Sequence, residues 1–168
     1  MKVIDKDQNS TRIVPSAVPS FEISDLLKSN YISTQMLLCN RECFASERFD
    51  PLMPRLQDWD LAIRLVQKEK FAFCDEVLVE QRIRKDSISR SYEKVIAAAE
   101  RLLSKYPELY QTHSGARTSL YGLIGWGYDN LGEYESAIAT YKKRLDESFS
   151  LKILAKLLQS RILNTVHR

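Results

Sequence analysis

The hydrophobic pattern of this 168-residue chain changes near residue 90, and that change limits the possible folds more than any other feature. Before residue 90, short β-prone runs alternate with short helical runs, and prolines separate several of them. After it, apolar residues recur with a helical period. Residues 1–90 carry 14 basic and 14 acidic side chains, whereas residues 91–168 carry 11 and 8, which accounts for the net charge of +3. We therefore predict two parts, residues 1–90 and residues 91–168.

The first part has the pattern of an α/β layer. Residues 3–14 predict a β-hairpin, because a polar turn cluster separates two β-prone ends. Ser24 is the expected N-cap of a short helix. Residues 31–39 predict a strand buried on both faces, because three apolar residues follow one another within that run. Residues 71–83 predict two further strands.

Residues 58–70 predict a helix with an apolar stripe formed by Trp59, Ala62, Ile63 and Val66. Two carboxylates, Asp58 and Asp60, flank the tryptophan at its start, and three interpretations of them stay open. In the first interpretation the carboxylates only stabilise the helix, with Asp60 paired to Arg64. In the second they form a D-x-D site that binds a nucleotide diphosphate through a divalent cation. In the third Asp58 is a general base.

Residues 30–44, NYISTQMLLCNRECF, and residues 47–89, from ERFDPLMPRLQDWDLAIRLV to RIRKDSIS, resemble the C-terminal half of the family 2 glycosyltransferase catalytic domain. The family pattern is a strand with N-x-I-x-x-Q, an R-x-x-x-F helix and a G-F-D-x-x-L segment. An [E/Q]-D-W-D-L-x-x-R-L helix, a D-E-x-L-V strand and a loop ending in D-S-I-S follow. The resemblance covers roughly residues 1–90.

The resemblance implies a partial GT-A fold, which is a Rossmann-like α/β layer. It implies inverting transfer of a sugar from a nucleotide-sugar donor to a hydroxyl of a glycan acceptor. Asp58 matches the catalytic base, and a carboxylate suits that role because it can accept the proton of the attacking hydroxyl. Gln57, Trp59 and Arg84 match substrate-binding positions, with Trp59 packing beneath the site.

The sequence departs from the family in two ways. The half that holds the nucleotide, with its D-x-D ligands for Mg²⁺ or Mn²⁺, has no counterpart here, so we expect no tight cofactor binding and an inactive chain by itself. The acidic pair Asp5 and Asp7 lies in a predicted turn. Arg84 replaces a histidine that helps to bind the metal and the diphosphate. It can contact a diphosphate directly but cannot ligate a metal, and the alternative is a solvated loop.

The second part resembles a tetratricopeptide repeat, so we predict an all-α helical-hairpin region. The pattern L-G-x-x-Y…G-x-Y-x-x-A-I-x-x-Y is met by Ile124, Gly125, Tyr128, Gly132, Tyr134, Ala137, Ile138 and Tyr141. Gly132 is the expected αL end of one helix. Gly122, Gly125 and Gly127 predict a stretch that another helix approaches closely.

The last segment, residues 149–168, is basic and has no acidic residue. Leu151, Leu154, Leu158 and Ile162 lie on one face, so this helix can either cap the helical stack or lie on an anionic membrane surface. No run approaches a transmembrane helix or a signal peptide, and the three cysteines fit reduced thiols. We therefore expect a cytoplasmic protein, with contact to the inner face of the membrane as the alternative to a capping role.

Two functions of different classes follow from these patterns. The first is a glycosyltransferase of family 2 type that lacks its donor-binding half. The second is a non-catalytic module whose helical repeats bind a protein partner. Spread basic residues without interleaved aromatics give no support to nucleic-acid binding.

Overall fold

The computed structural model describes residues 1–5, 9–83, 91–113 and 115–166. In chain order these residues form β1 (Lys2–Asp5), β2 (Ser10–Ile13), α1 (Ile23–Lys28), α2 (Arg41–Ser46), α3 (Gln57–Val66), β3 (Glu80–Ile83), α4 (Tyr92–Lys105), α5 (Pro107–Thr112), α6 (Ala116–Leu131), α7 (Tyr134–Glu147) and α8 (Leu151–Val166). The coarse prediction of a mixed α and β part followed by a helical part is confirmed.

The chain divides into two compact units. The α/β unit consists of Met1–Pro51 and Gln57–Arg90, and the helical unit consists of Leu52–Leu56 and Ser91–Arg168. The division after residue 90 coincides with the change of hydrophobic period. The short segment Leu52–Leu56 groups with the helices, which the sequence pattern does not indicate.

The sheet of the α/β unit has the strand order β2-β1-β3. The predicted hairpin is present, with β1 and β2 antiparallel and Val3 opposite Arg12. β3 runs parallel to β1, with Lys2 opposite Glu80 and Asp5 opposite Ile83. Among the described residues this is a three-stranded sheet with one parallel pair, which is smaller than the predicted Rossmann-like layer.

The prediction of a buried strand over residues 31–39 is wrong. This segment contains a single 3₁₀ turn at Thr34–Met36, and Leu38 is 99% exposed. The amide of Met36 donates to the carbonyl of Ser33 at 2.8 Å, so the backbone bonds here are local. Ile32 and Leu37 pack into the core of the α/β unit. Consecutive apolar residues alone do not distinguish a central strand from an irregular segment that buries only some of its side chains.

Residues 71–83 form one strand, β3, and not two. Phe71 packs into the core from an irregular segment, with its ring centroid 5.1 Å from that of Phe21, whereas Cys74 is exposed. The cap prediction at Ser24 is also wrong. α1 begins at Ile23, and the hydroxyl of Ser20 accepts the amide of Glu22 instead.

The helical unit follows its sequence pattern closely. α4 packs on α6, α6 on α7 and α7 on α8. Ser91 caps α4, since its hydroxyl accepts the amide of Lys94 at 3.3 Å. Gly132 ends α6 with φ of 76°, as predicted for an αL cap. The short α5, with Pro107 in its first turn, was not predicted.

Two of the three predicted contact glycines allow close approach of helices. A Cβ at Gly125 would lie 2.5 Å from Cε1 of Tyr141 on α7, and a Cβ at Gly127 would lie 2.6 Å from Cγ1 of Ile96 on α4. At Gly122 the nearest atom would be 3.6 Å away, which is ordinary contact. The absence of side chains at Gly125 and Gly127 therefore allows two different helices, α7 and α4, to approach α6 closely.

α8 packs on α7 through Ile153 and Leu157, beside Ala137 and Tyr141. The predicted stripe that includes Leu151, Leu158 and Ile162 points away from this core. Within the described part of the chain, no helix is long and apolar enough to cross a membrane.

Candidate functional site

The candidate site lies at the start of α3, where the sequence places two carboxylates around a tryptophan. The helix begins at Gln57, and both Asp58 and Asp60 lie in its first turn. Negative charge is favourable there, because the first amides of a helix lack partners within it. Leu56, the residue before the helix, has φ of 60°, a conformation that a bulky side chain rarely adopts.

The Asp58 carboxylate is partly exposed and is held on one side. Its Oδ1 accepts the amide of Trp59 at 2.8 Å and the side-chain amide of Asn30 at 3.3 Å. Asn30 is itself fixed, because its Oδ1 accepts the amide of Ile32 at 3.2 Å. Among the described residues, Oδ2 of Asp58 has no hydrogen-bond partner. The carboxylate is therefore oriented by protein donors and retains one oxygen that can accept a proton.

Trp59 is a core residue that anchors α3. Its indole N–H donates to the carbonyl of Leu26, the nitrogen and oxygen lying 2.5 Å apart, and the side chain is buried. This placement fits a ring that packs beneath the site. It leaves the ring little surface for direct contact with a substrate.

Asp60 is fully buried and belongs to an ion-pair network. It accepts hydrogen bonds from Nη2 of Arg64 at 2.9 Å and from Nε at 3.2 Å, so the predicted pairing is confirmed. Arg64 also pairs with Glu47, which in turn pairs with Lys68. Hydrogen bonds from Lys68 and Arg64 lower the pKa of Glu47. This network fixes α3 to the segment that follows α2.

The start of α3 does not fit a metal site. The Asp60 carboxylate is turned to Arg64 inside the protein, so Asp58 and Asp60 cannot share a cation as a D-x-D pair does. No group of three potential metal ligands occurs in the part of the chain that the structure describes. Asp5 is buried on β1, whereas Asp7 lies outside the described residues.

The structure brings together only part of the predicted site. Gln57 is exposed at the first position of α3, next to Asp58. Arg84 lies outside the described residues, so its predicted contact with a diphosphate is not addressed. Asn30 is the partner that sequence reasoning missed, although it is the first residue of the N-x-I-x-x-Q pattern.

A groove of about 560 Å³ also lies in the α/β unit. It is lined by Arg41, Phe44, Ala45, Arg48 and Phe49. The carbonyl of Arg48 accepts Nη2 of Arg64 at 2.7 Å, which ties this segment to α3. The groove offers two aromatic rings and two guanidinium groups to a ligand.

Comparisons with protein-family models, curated proteins and solved structures find no match to this chain. The function is therefore inferred from the residues themselves.

Proposed function

We propose that this chain is the acceptor-side half of an inverting glycosyltransferase of family 2 type, with Asp58 as the general base. The observation that carries the proposal is the geometry of Asp58. Asn30 and the amide of Trp59 hold one carboxylate oxygen, and the other oxygen, which bonds to none of the described residues, can accept the proton of a substrate hydroxyl.

The reaction requires a base at this position for a simple reason. An acceptor hydroxyl is a weak nucleophile, and it gains strength when a carboxylate takes its proton as the new glycosidic bond forms. The bond between the anomeric carbon and the diphosphate of the donor breaks in the same step, so the diphosphate leaves with the bonding electrons. Inversion follows because the hydroxyl attacks the face opposite the leaving group.

The neighbouring residues have supporting roles in this proposal. Asn30 is a positioning residue, because it contacts the base and not the reacting atoms. Gln57 is exposed beside Asp58 and can donate to an acceptor hydroxyl. Apart from these neighbours, the rings of Phe44 and Phe49 in the groove of the α/β unit offer apolar surface to a sugar ring, as small-molecule sites commonly do.

Mg²⁺ or Mn²⁺ and the nucleotide would be held by the donor-binding half of such an enzyme. The described residues of this chain provide no ligand set for the cation. We accordingly propose that the chain alone binds a nucleotide-sugar weakly, because most contacts that would order the ligand belong to the other half. Titration calorimetry checks this, and micromolar affinity would contradict it.

The test of the base is the Asp58→Asn variant in a polypeptide that includes a donor-binding half. Turnover should fall about 100-fold, within the range for loss of a general base. The fold should persist, since an asparagine oxygen can still accept the amide of Trp59. Asp25→Asn is the matched control, because Asp25 is also a carboxylate in the first turn of a helix of the α/β unit. Equal activity of the Asp58→Asn variant and the parent would refute the assignment.

A protein-interaction module is the second candidate, and the stacked hairpins of the helical unit favour it. α6 and α7 are joined by a tight turn at Gly132 and pack closely at Gly125, as repeats that bind partners do. In this case the α/β unit would be a scaffold, and Asp58→Asn would leave partner binding unchanged. Measuring nucleotide-sugar turnover and partner capture on the same variant separates the two functions. A cytoplasmic location is proposed with either of them, because the three free cysteines fit a reducing compartment.

A further inference from the structure

We infer that the outer face of α8 binds the surface of a membrane that contains anionic lipids. This inference is independent of the proposed glycosyl transfer, because it concerns a different unit of the chain.

The inner face of α8 fixes the orientation of the helix. Ile153 and Leu157 pack in the core, and the buried Ser160 hydroxyl donates to Oδ1 of Asp129 on α6 at 2.6 Å. Tyr141 on α7 donates to Oδ2 of the same carboxylate at 2.7 Å. Three helices therefore meet at Asp129, and the opposite side of α8 must face outward.

The outward side is an apolar stripe of four residues, Leu151, Leu158, Ile162 and Val166. Their exposed fractions are 74%, 49%, 64% and 72%. At about 100° per residue these positions fall within about 80° of one another around the helix. Phe149, just before α8, is a further exposed apolar side chain, at 70%. A stripe along a helix about 24 Å long is more than isolated exposed residues.

Basic side chains flank this outer stripe on both sides. Lys152 and Arg161 project about 90° to either side of its centre, by the same helical geometry. Neither forms an ion pair with another described residue, and no acidic residue occurs between Phe149 and Val166. Apolar residues with a cation on each side match a lipid surface, in which acyl chains lie beneath phosphate groups.

The same charges argue against a second copy of this chain as the occupant. Two stripes packed face to face would bring Lys152 and Arg161 of both copies together, with no carboxylate on either helix to offset them. Such like-charge contacts oppose association. Anionic headgroups supply the missing negative charge, so we commit to the lipid surface.

The test is co-sedimentation of the whole chain with vesicles. Vesicles of phosphatidylcholine with about one third phosphatidylserine should retain the chain, and pure phosphatidylcholine should retain much less. Raising the salt from low to about 0.5 M should weaken binding, because the Debye length falls well below 10 Å. The double variant Leu158→Gln with Ile162→Gln should weaken binding more than tenfold. The variant Lys152→Gln with Arg161→Gln should weaken it about fivefold for each charge removed.

Two matched variants control for general effects. Leu38→Gln with Leu78→Gln removes two apolar side chains from the α/β unit that are more exposed than Leu158 and Ile162, and Lys142→Gln with Lys143→Gln removes two exposed cations from α7. Both should bind vesicles like the parent, and circular dichroism should show that all variants are folded. Failure of the parent to bind anionic vesicles would overturn the inference, as would equal binding by the α8 variants. A dimer in light scattering that only the Leu158 and Ile162 changes dissociate would overturn it in favour of a second copy.

Discussion

The two units of this chain are stabilised in different ways. In the α/β unit the helices are short and are held by a few specific polar bonds, such as Trp59 to the carbonyl of Leu26 and Arg64 to Asp60. In the helical unit the helices are 14 to 16 residues long, apart from α5, and are held by close packing along their lengths. Loss of a single polar contact should therefore lower the stability of the α/β unit most. Added side-chain volume should lower the stability of the helical unit most.

The proposed base lies in the unit with the specific polar bonds. A general base must keep one orientation, and Asn30 and the amide of Trp59 provide it for Asp58. In the helical unit, the carboxylate of Asp129 accepts hydrogen bonds from Tyr141 and Ser160 and so joins three helices in the interior.

The largest effect should come from Trp59→Phe. The change removes the indole N–H, leaves the carbonyl of Leu26 buried without its donor and creates a small cavity. We expect the free energy of unfolding of the α/β unit to fall by about 3 kcal/mol. Denaturant unfolding followed by circular dichroism measures it.

Tyr141→Phe is the counterpart in the helical unit and should cost about 1 kcal/mol, because the ring and its packing remain. Burial, together with the hydrogen bond to Asp129, raises the pKa of Tyr141, so the hydroxyl stays protonated as a donor. If Trp59→Phe and Tyr141→Phe lowered the free energy of unfolding equally, the proposed difference in how the two units are stabilised would be refuted.

Added volume should have the next largest effect. Gly125→Ala places a methyl group against the Tyr141 ring, and we expect it to destabilise the helical unit by about 2 kcal/mol. Gly122→Ala is the matched variant on the same helix, where the nearest atom is 3.6 Å away. It should stabilise the unit by up to about 1 kcal/mol, because alanine favours a helix over glycine. Thermal unfolding of both variants gives the sign, and a stabilising Gly125→Ala would contradict the close approach of α6 and α7.

Gly132→Ala tests how much the backbone conformation at residue 132 contributes to the stability of the helical unit. No atom lies within 4 Å of a Cβ at this position, so only the φ of 76° opposes the change. We expect a loss of about 1 kcal/mol in unfolding free energy, with Gly132→Asn costing less because asparagine tolerates this region. A neutral Gly132→Ala would show that the turn between α6 and α7 adopts another conformation.

The smallest effect should be the dependence of stability on acid pH that Glu47 adds to the α/β unit. The hydrogen bonds from Lys68 and Arg64 lower the pKa of Glu47, so the charged form is favoured in the folded state. Its stabilising contribution is complete above the unfolded-state pKa, near pH 4.5, and is lost as the pH falls through the lower folded-state pKa.

Melting temperatures measured between pH 2.5 and 6 test this. The slope of melting temperature against pH should be smaller in the Glu47→Gln variant than in the parent chain. Glu147→Gln removes the partly exposed pair with Arg117 in the helical unit and serves as the control. Identical slopes for the parent chain and Glu47→Gln would refute the assignment.

The sequence predicted the helical unit well because its signals are local. The αL end at Gly132 and the close approach at Gly125 depend on neighbours in the chain or on one adjacent helix. The pairing of Asp60 with Arg64 belongs to the same class, since the two residues are one helical turn apart. Long periodic segments repeat their signal several times, so a single misplaced residue does not change the prediction.

The tertiary structure alone decided how the short elements of the α/β unit meet. Residues 31–39 bury Ile32 and part of Leu37 from an irregular segment, while Leu38 is exposed, and no local pattern shows whether a neighbouring strand is available. The contact between Asn30 and Asp58 spans 28 positions in the chain. The sequence likewise does not indicate which apolar face of α8 is buried. Ile153 and Leu157 lie in the core, whereas Leu151 and Leu158, which are equally apolar, are exposed. A helix with two apolar faces has no preferred face in its own sequence, and the choice is made by the helix on which it packs.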